Sequence, residues 1–111
     1  MAEAFSKGEF DKVFAHLADN IIWKVVEENE FVGKATVIQQ CEQVAAYFRS
    51  VVTDFKTQQV ICEGQHVVVS GTAEFFRNNQ RISFVTACDV YEFNDENQVK
   101  NITSYCIQKK L

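Results

Sequence analysis

Residues 81–94 read Arg-Ile-Ser-Phe-Val-Thr-Ala-Cys-Asp-Val-Tyr-Glu-Phe-Asn, and this stretch decides the fold. Its β-branched and aromatic content suits a strand. Strand side chains alternate between two faces, so Val85, Ala87, Asp89, Tyr91 and Phe93 share one face and Ile82, Phe84, Cys88 and Val90 the other. A sheet with one solvated face alternates cleanly between apolar and polar residues. This strand is apolar on both sides, so both faces are expected to be covered. Helices can cover one. A second copy of the chain is the simplest cover for the other, since twofold dimers are the commonest oligomers. The plain alternative is a scatter of exposed apolar residues.

Three more strands surround it, at about 55–62, 66–77 and 98–107, with the quoted strand at 81–94. The turns are Glu63-Gly64-Gln65, Asn78-Asn79-Gln80 and Asp95-Glu96-Asn97, and connections this short make antiparallel neighbours. Upstream, a long helix begins after Gly33. Val37, Cys41, Val44, Phe48 and Val51 form its stripe, widened by Ile38, Ala45 and Val52. Further upstream, Glu27 to Glu30 form an acidic loop, and Ile21, Trp23 and Val25 alternate with Ile22 and Lys24 as a short strand. Ser6-Lys7-Gly8-Glu9 fits a capping box, with Phe5 and Phe10 spaced as a hydrophobic staple. Phe10, Val13, Phe14 and Leu17 then predict a helix ending near Asp19-Asn20. The order helix, strand, helix, four strands is α+β.

Composition narrows the classes. The 111 residues fit one domain, 1–111, and ten Phe, three Tyr and one Trp supply an ample core. A net charge of −4 with no basic stripe argues against nucleic-acid and anionic-membrane partners. Arg77, Arg81, Lys109 and Lys110 read as solvated charges. No apolar run approaches the roughly 20 residues of a membrane span, and the N-terminus has no secretory pattern. Cys41, Cys62, Cys88 and Cys106 form no Cys-x-x-Cys pair, so they suggest reduced core thiols in a cytoplasmic protein rather than a zinc or redox motif. Nothing resembles a nucleotide or metal site, and no cofactor is expected.

Gly8-Glu9-Phe10-Asp11, Phe31-Val32-Gly33 before the long helix, and Cys88-Asp89-Val90-Tyr91-Glu92-Phe93-Asn94 before the last strand together resemble the nuclear transport factor 2-like superfamily. Within it, the chain is most similar to SnoaL-like and ketosteroid-isomerase-like proteins. The resemblance covers nearly the whole chain. It implies a cystatin-like, cone-shaped α+β roll, in which a curved antiparallel sheet wraps a long helix and a pocket opens at the wide end. It also implies a homodimer packed through the convex face; the chain departs from the family in its N-terminal helix, which is expected to be shortened because few residues precede Gly8. The family hosts isomerases, cyclases, dehydratases, epoxide hydrolases and binders, so the fold alone selects no reaction.

Asp89 is the candidate catalytic residue. Apolar surroundings favour the neutral form of a carboxyl group unless a cation or donors compensate, and a neutral acid can donate to a developing oxyanion. Asp89 matches the oxyanion-hole aspartate of ketosteroid isomerases, a worked example of that chemistry. The plain alternative is an inward Asp bonded to backbone, water or a helix residue such as Arg49. The family's general base falls near Val25, with no carboxylate until Glu27, and its oxyanion-hole tyrosine falls at about Met1. Without a base, proton abstraction has no first step, which argues against ketosteroid isomerase activity. No Asp-Arg-Asp set for a limonene-type epoxide hydrolase is evident. His16 and His66 read as surface residues, not as dehydratase histidines.

Candidate ligand contacts are Trp23, whose indole N–H can orient a ligand, and Tyr91 on the face of Asp89. The resemblance turns Ile102, Ser104 and Cys106 inward, with Asn101, Thr103 and Tyr105 outward, which adds Ser104 and Cys106. Phe48, Phe75 and Phe93 complete the apolar wall, though core packing explains such aromatics equally well. Three functions follow: a domain binding an apolar or aromatic small molecule; a SnoaL-like cyclase, isomerase or dehydratase using Asp89 as acid; or a protein-interaction dimer.

Overall fold

The computed structural model describes residues 2–109. A short helix, α1 (Ala2–Ser6), leads into two 3-10 turns at 10–12 and 14–16. They are followed by β1 (Leu17–Val25), β2 (Asn29–Val32), α2 (Lys34–Arg49), β3 (Val52–Glu63), β4 (His66–Arg77), β5 (Gln80–Phe93) and β6 (Val99–Gln108). The six strands make one sheet in the order β2-β1-β6-β5-β4-β3. Every pairing is antiparallel except β1 with β6, which run parallel through Trp23–Ile102 and Val25–Ser104. The sheet of the roll is therefore mixed.

The hairpins follow from turn chemistry. Arg77 pairs with Gln80 across Asn78 and Asn79, whose φ values of 53° and 63° both lie in the left-handed region. Asn tolerates that region, and two such residues turn a hairpin with the twist of its strands. Between β3 and β4 the backbones come close beside an irregularity at Thr57–Gln59. A Cβ on Gly71 would stand 2.4 Å from the Lys56 carbonyl oxygen, so only glycine fits there.

The N-terminal segment departs from the predicted capping box, because Gly8 ends a helix instead of lying in a first turn. Gly8 has φ +79°; its N–H donates to the Phe5 carbonyl at 3.0 Å, and the Glu9 N–H donates to the Ala4 carbonyl at 2.9 Å. This pair of bonds around a left-handed glycine is a Schellman stop. Of the predicted stripe, Phe10, Val13 and Leu17 are buried and Phe14 is half-buried, but two 3-10 turns at 10–12 and 14–16 replace the α-helix and Leu17 already belongs to β1. Strand β1 consequently starts at Leu17, not Ile21. The expected acidic loop partly forms β2, where Phe31 pairs with Trp23 and Glu30 with Lys24. Helix α2 stops at Arg49, so Val52 is not on its stripe; it opens β3 and is 67% exposed.

Helix α2 packs mainly on β1 and β2 and buries Val37 and Cys41. The core joins these to Phe5, Phe10, Val13, Leu17, Ile21 and Tyr91. Burial pushes the Cys41 thiol up to about 12. Among the four cysteines Cys41 alone is a core thiol, since Cys88 is half-buried and Cys62 and Cys106 are exposed. No described helix is long and apolar enough to cross a membrane.

Candidate functional site

The packing of α2 toward one side leaves a hollow of about 360 Å³ between the inner face of β3–β6, the C-terminal half of α2 and the Phe5–Gly8 segment. Aromatic rings wall it. Phe5 meets Trp23 edge-on at 5.1 Å and Phe10 at 5.1 Å, and Phe48 stacks on Phe75 at 5.6 Å and meets Phe55 edge-on at 5.3 Å. Gly8 is required here as well: a Cβ would lie 2.6 Å from the Phe48 ring.

Asp89 lines the hollow and is only 8% exposed. It stands on β5 between Val69 of β4 and Ser104 of β6. The Ser6 hydroxyl donates to Asp89 Oδ2 at 2.6 Å and lies 2.5 Å from the Tyr91 hydroxyl. Ser6 has one proton, committed to Asp89, so Tyr91 donates to Ser6. The result is a chain from Tyr91 through Ser6 to the carboxylate. Tyr91 is fully buried, and burial, reinforced by the Asp89 charge, pushes its phenol well above the ordinary value. It stays neutral and serves as a donor.

Trp23 and Ser104 also line the hollow, and Trp23 Nε1 donates to Ser104 Oγ at 3.0 Å. The indole N–H is thus committed to the protein rather than free to orient a ligand. Phe48, Phe75 and Cys106 lie on the lining as well. Partial enclosure pushes the Cys106 thiol up to about 11, and the Asp89 and Glu28 carboxylates add to the effect.

Two candidate contacts require correction. Tyr91 is behind Asp89 rather than on the cavity wall, because Phe5 packs edge-on against its ring at 5.9 Å. Phe93 follows the β5 irregularity at Glu92–Phe93 and packs on the core outside the lining. Arg49 is exposed and makes no bond to Asp89. His16 is exposed, and exposed His66 meets Glu92 at 3.3 Å. Met1 and Lys110 lie outside the described residues.

The lining also includes residues that the sequence pattern does not single out for a site. Ser6 reads as a helix cap, and its partner lies 83 positions away. Glu28 comes to the lining from the β1–β2 turn. Nothing in the sequence sets Glu28 apart from its acidic neighbours Glu27 and Glu30. Among the described residues no three metal-ligating side chains converge.

A curved sheet folded over one long helix, with a hollow beside it, defines the NTF2-like class of α+β roll. The model of the SnoaL-like domain matches residues 1–101, and the chain belongs to that family. An NTF2-like protein of unknown function from Cytophaga hutchinsonii is 33% identical, with a TM-score of 0.84 over 96% of this chain and 92% of that one. An LEH-like epoxide hydrolase of M. tuberculosis is 19% identical, with a TM-score of 0.69 over 95% of this chain and 75% of the other. SalBIII, an epoxide hydrolase/cyclase-like enzyme of pyran ring formation in salinomycin, is 18% identical, with a TM-score of 0.73 over 96% and 86%. The latter two share the fold. No curated protein matches the sequence.

Proposed function

We propose that the protein binds a small, largely apolar molecule in the hollow beside Asp89. The observation that carries this reading is an aromatic-walled cavity of about 360 Å³ on which a nearly buried carboxylate opens. Ligand pockets occupy roughly 300–1,000 Å³ and combine apolar walls with a few placed polar groups. Trp23, the protein's single tryptophan, lies on the lining and reports occupancy by its fluorescence. Titration with phenylbutanol should give a saturable change in that emission. Ala87→Leu, which fills the cavity from β5, should abolish it with the fold intact by circular dichroism. Absence of saturation in the wild-type protein up to millimolar probe would refute the reading.

A catalytic form of this reading is favoured by one feature: Glu28 and Asp89 both line the cavity. Two carboxylates in different surroundings can divide acid and base roles. Structural relatives described as epoxide hydrolase-like suggest the substrate to try. Hydrolysis of styrene oxide by the wild-type protein and not by Asp89→Asn would establish it, and binding without turnover would reject it.

We also assign the outer face of the sheet to contact with a second copy. Tyr105 and Ile107 on β6 point outward and are 44% and 71% exposed. Light scattering should show a dimer that Ile107→Glu dissociates; a wild-type monomer at working concentration refutes the assignment.

A further inference from the structure

We propose that the cavity selects an organic ammonium, an apolar amine protonated at neutral pH, over neutral or anionic molecules of the same shape. This inference rests on the cavity being a binding site, and it concerns only what the site prefers.

The first argument is charge. The ionisable carboxylates on the lining are Asp89 and Glu28, and no Lys, Arg or His lines it. Lys7 and Lys56 line an adjoining hollow of about 40 Å³ that shares Ser6, Phe55, Ala73, Ala87 and Asp89 with the cavity. Each faces its own carboxylate, Lys7 with Glu3 at 3.5 Å and Lys56 with Asp54 at 3.8 Å. An anion entering the cavity would meet two like charges with no counter-charge on the wall. Beside Asp89, only 8% exposed, that repulsion is stronger than in water, whereas solvent screens the charge of exposed Glu28.

The second argument is the unused capacity of Asp89. Asp89 is 8% exposed, and Ser6 donates to its Oδ2. A carboxylate accepts several hydrogen bonds, and a buried charge is costly unless paired. No buried side-chain oxygen is walled off without a partner, and Asp89 borders both this cavity and the adjoining smaller hollow, so its carboxylate has capacity for a further donor arriving from either. An ammonium supplies both the missing donor and the missing counter-charge.

The third argument is the donor balance of the wall. Ser6 commits its proton to Asp89, and Trp23 commits its N–H to Ser104. A carbonyl or carboxylate ligand would find these two donors taken, which leaves the Ser104 hydroxyl proton and the second amide N–H of Gln108 as the uncommitted O–H and N–H side-chain donors on the wall. The rest of the wall is largely aromatic, with Phe5, Phe10, Trp23 and Phe48 lining the space. Ring faces attract cations as well as hydrocarbon. Protonated amines with an apolar tail satisfy carboxylate, rings and volume together.

Three probes of one shape separate the possibilities: phenylbutylamine, phenylbutanol and phenylbutyrate, titrated against the full chain at neutral pH by calorimetry and Trp23 fluorescence. The amine should bind about tenfold or more tighter than the alcohol, the difference between a charge-assisted and a neutral hydrogen bond. The butyrate should bind more weakly than the alcohol. Asp89→Asn should bring the amine down to the alcohol's affinity, and Glu28→Gln should reduce the amine preference by a smaller factor. Should Asp89→Asn fail to fold, the ranking of the three probes and the Glu28→Gln comparison still decide. Equal binding of amine and alcohol, or tightest binding of the butyrate, overturns the proposal while leaving the cavity a binding site. Failure of all three probes overturns both readings.

Discussion

Ser6→Ala removes a single oxygen, yet it should be among the more destabilising small substitutions in the chain. Ser6 Oγ donates to Asp89 Oδ2 at 2.6 Å and accepts from the fully buried Tyr91 at 2.5 Å. A hydrogen bond to a charged group contributes about 1.5–3 kcal/mol, and an orphaned buried hydroxyl costs about 1–3 kcal/mol. The Tyr91 hydroxyl can swing toward Asp89 and recover part of this, which lowers the expected loss to about 2–4 kcal/mol. For a chain of this size each kcal/mol moves the melting midpoint by about 4 °C, so Tm should fall by about 8–16 °C. Thermal unfolding followed by circular dichroism at neutral pH gives the number. Tyr91→Phe alone should cost about 1 kcal/mol, and the double variant less than the sum of the two, because removing both partners leaves fewer orphans. A loss below about 0.5 kcal/mol for Ser6→Ala, or strict additivity in the double variant, would refute the chain of bonds behind Asp89.

Other expectations are independent of that chain. Gly71→Val forces a Cβ to within 2.4 Å of the Lys56 carbonyl and should cost more than about 2 kcal/mol in urea unfolding; a cost near zero would show that β3 and β4 can separate freely. Phe48→Ala removes a ring stacked on Phe75 and Phe10 and should cost about 3 kcal/mol, while weakening phenylbutanol binding more than tenfold. Stability should decline at alkaline pH. Burial raises Cys41 from 9.0 to about 12, so the folded state holds a proton that the unfolded state releases. That contribution is complete below about pH 9 and is lost as pH rises toward 12, with Tyr91 adding to the loss above about pH 10. Cys41→Ala should flatten the first part of the decline in Tm, and Tyr91→Phe the second; an unchanged slope in both would contradict these assignments.

Local patterns carried much of the fold. The α2 stripe as far as Phe48, the β3–β6 runs and the Asn78-Asn79 turn lie where spacing and turn residues place them, while Val51 and Val52 fall beyond the end of the helix. Prediction failed where one pattern served two structures. Residues three apart suit a 3-10 turn as well as an α-helix, and Gly8 closes a helix by the same freedom that seemed harmless inside one. Strand β2 is short and acidic, and only pairing with β1 makes it a strand.

For the site, alternation along β5 was enough to mark Asp89 as a charge on an apolar face, because the two-residue period belongs to the strand itself. The family and its roll were likewise readable from the order of motifs. What surrounds Asp89 belonged to the tertiary structure alone. Ser6 lies 83 positions away, Tyr91 turned out to stand behind the carboxylate rather than beside a ligand, and Glu28 reaches the lining from a turn. Periodicity tells which face of a strand a side chain occupies. It carries no information about which distant residue closes over that face, since that depends on how helix, turn and sheet fill a shared volume.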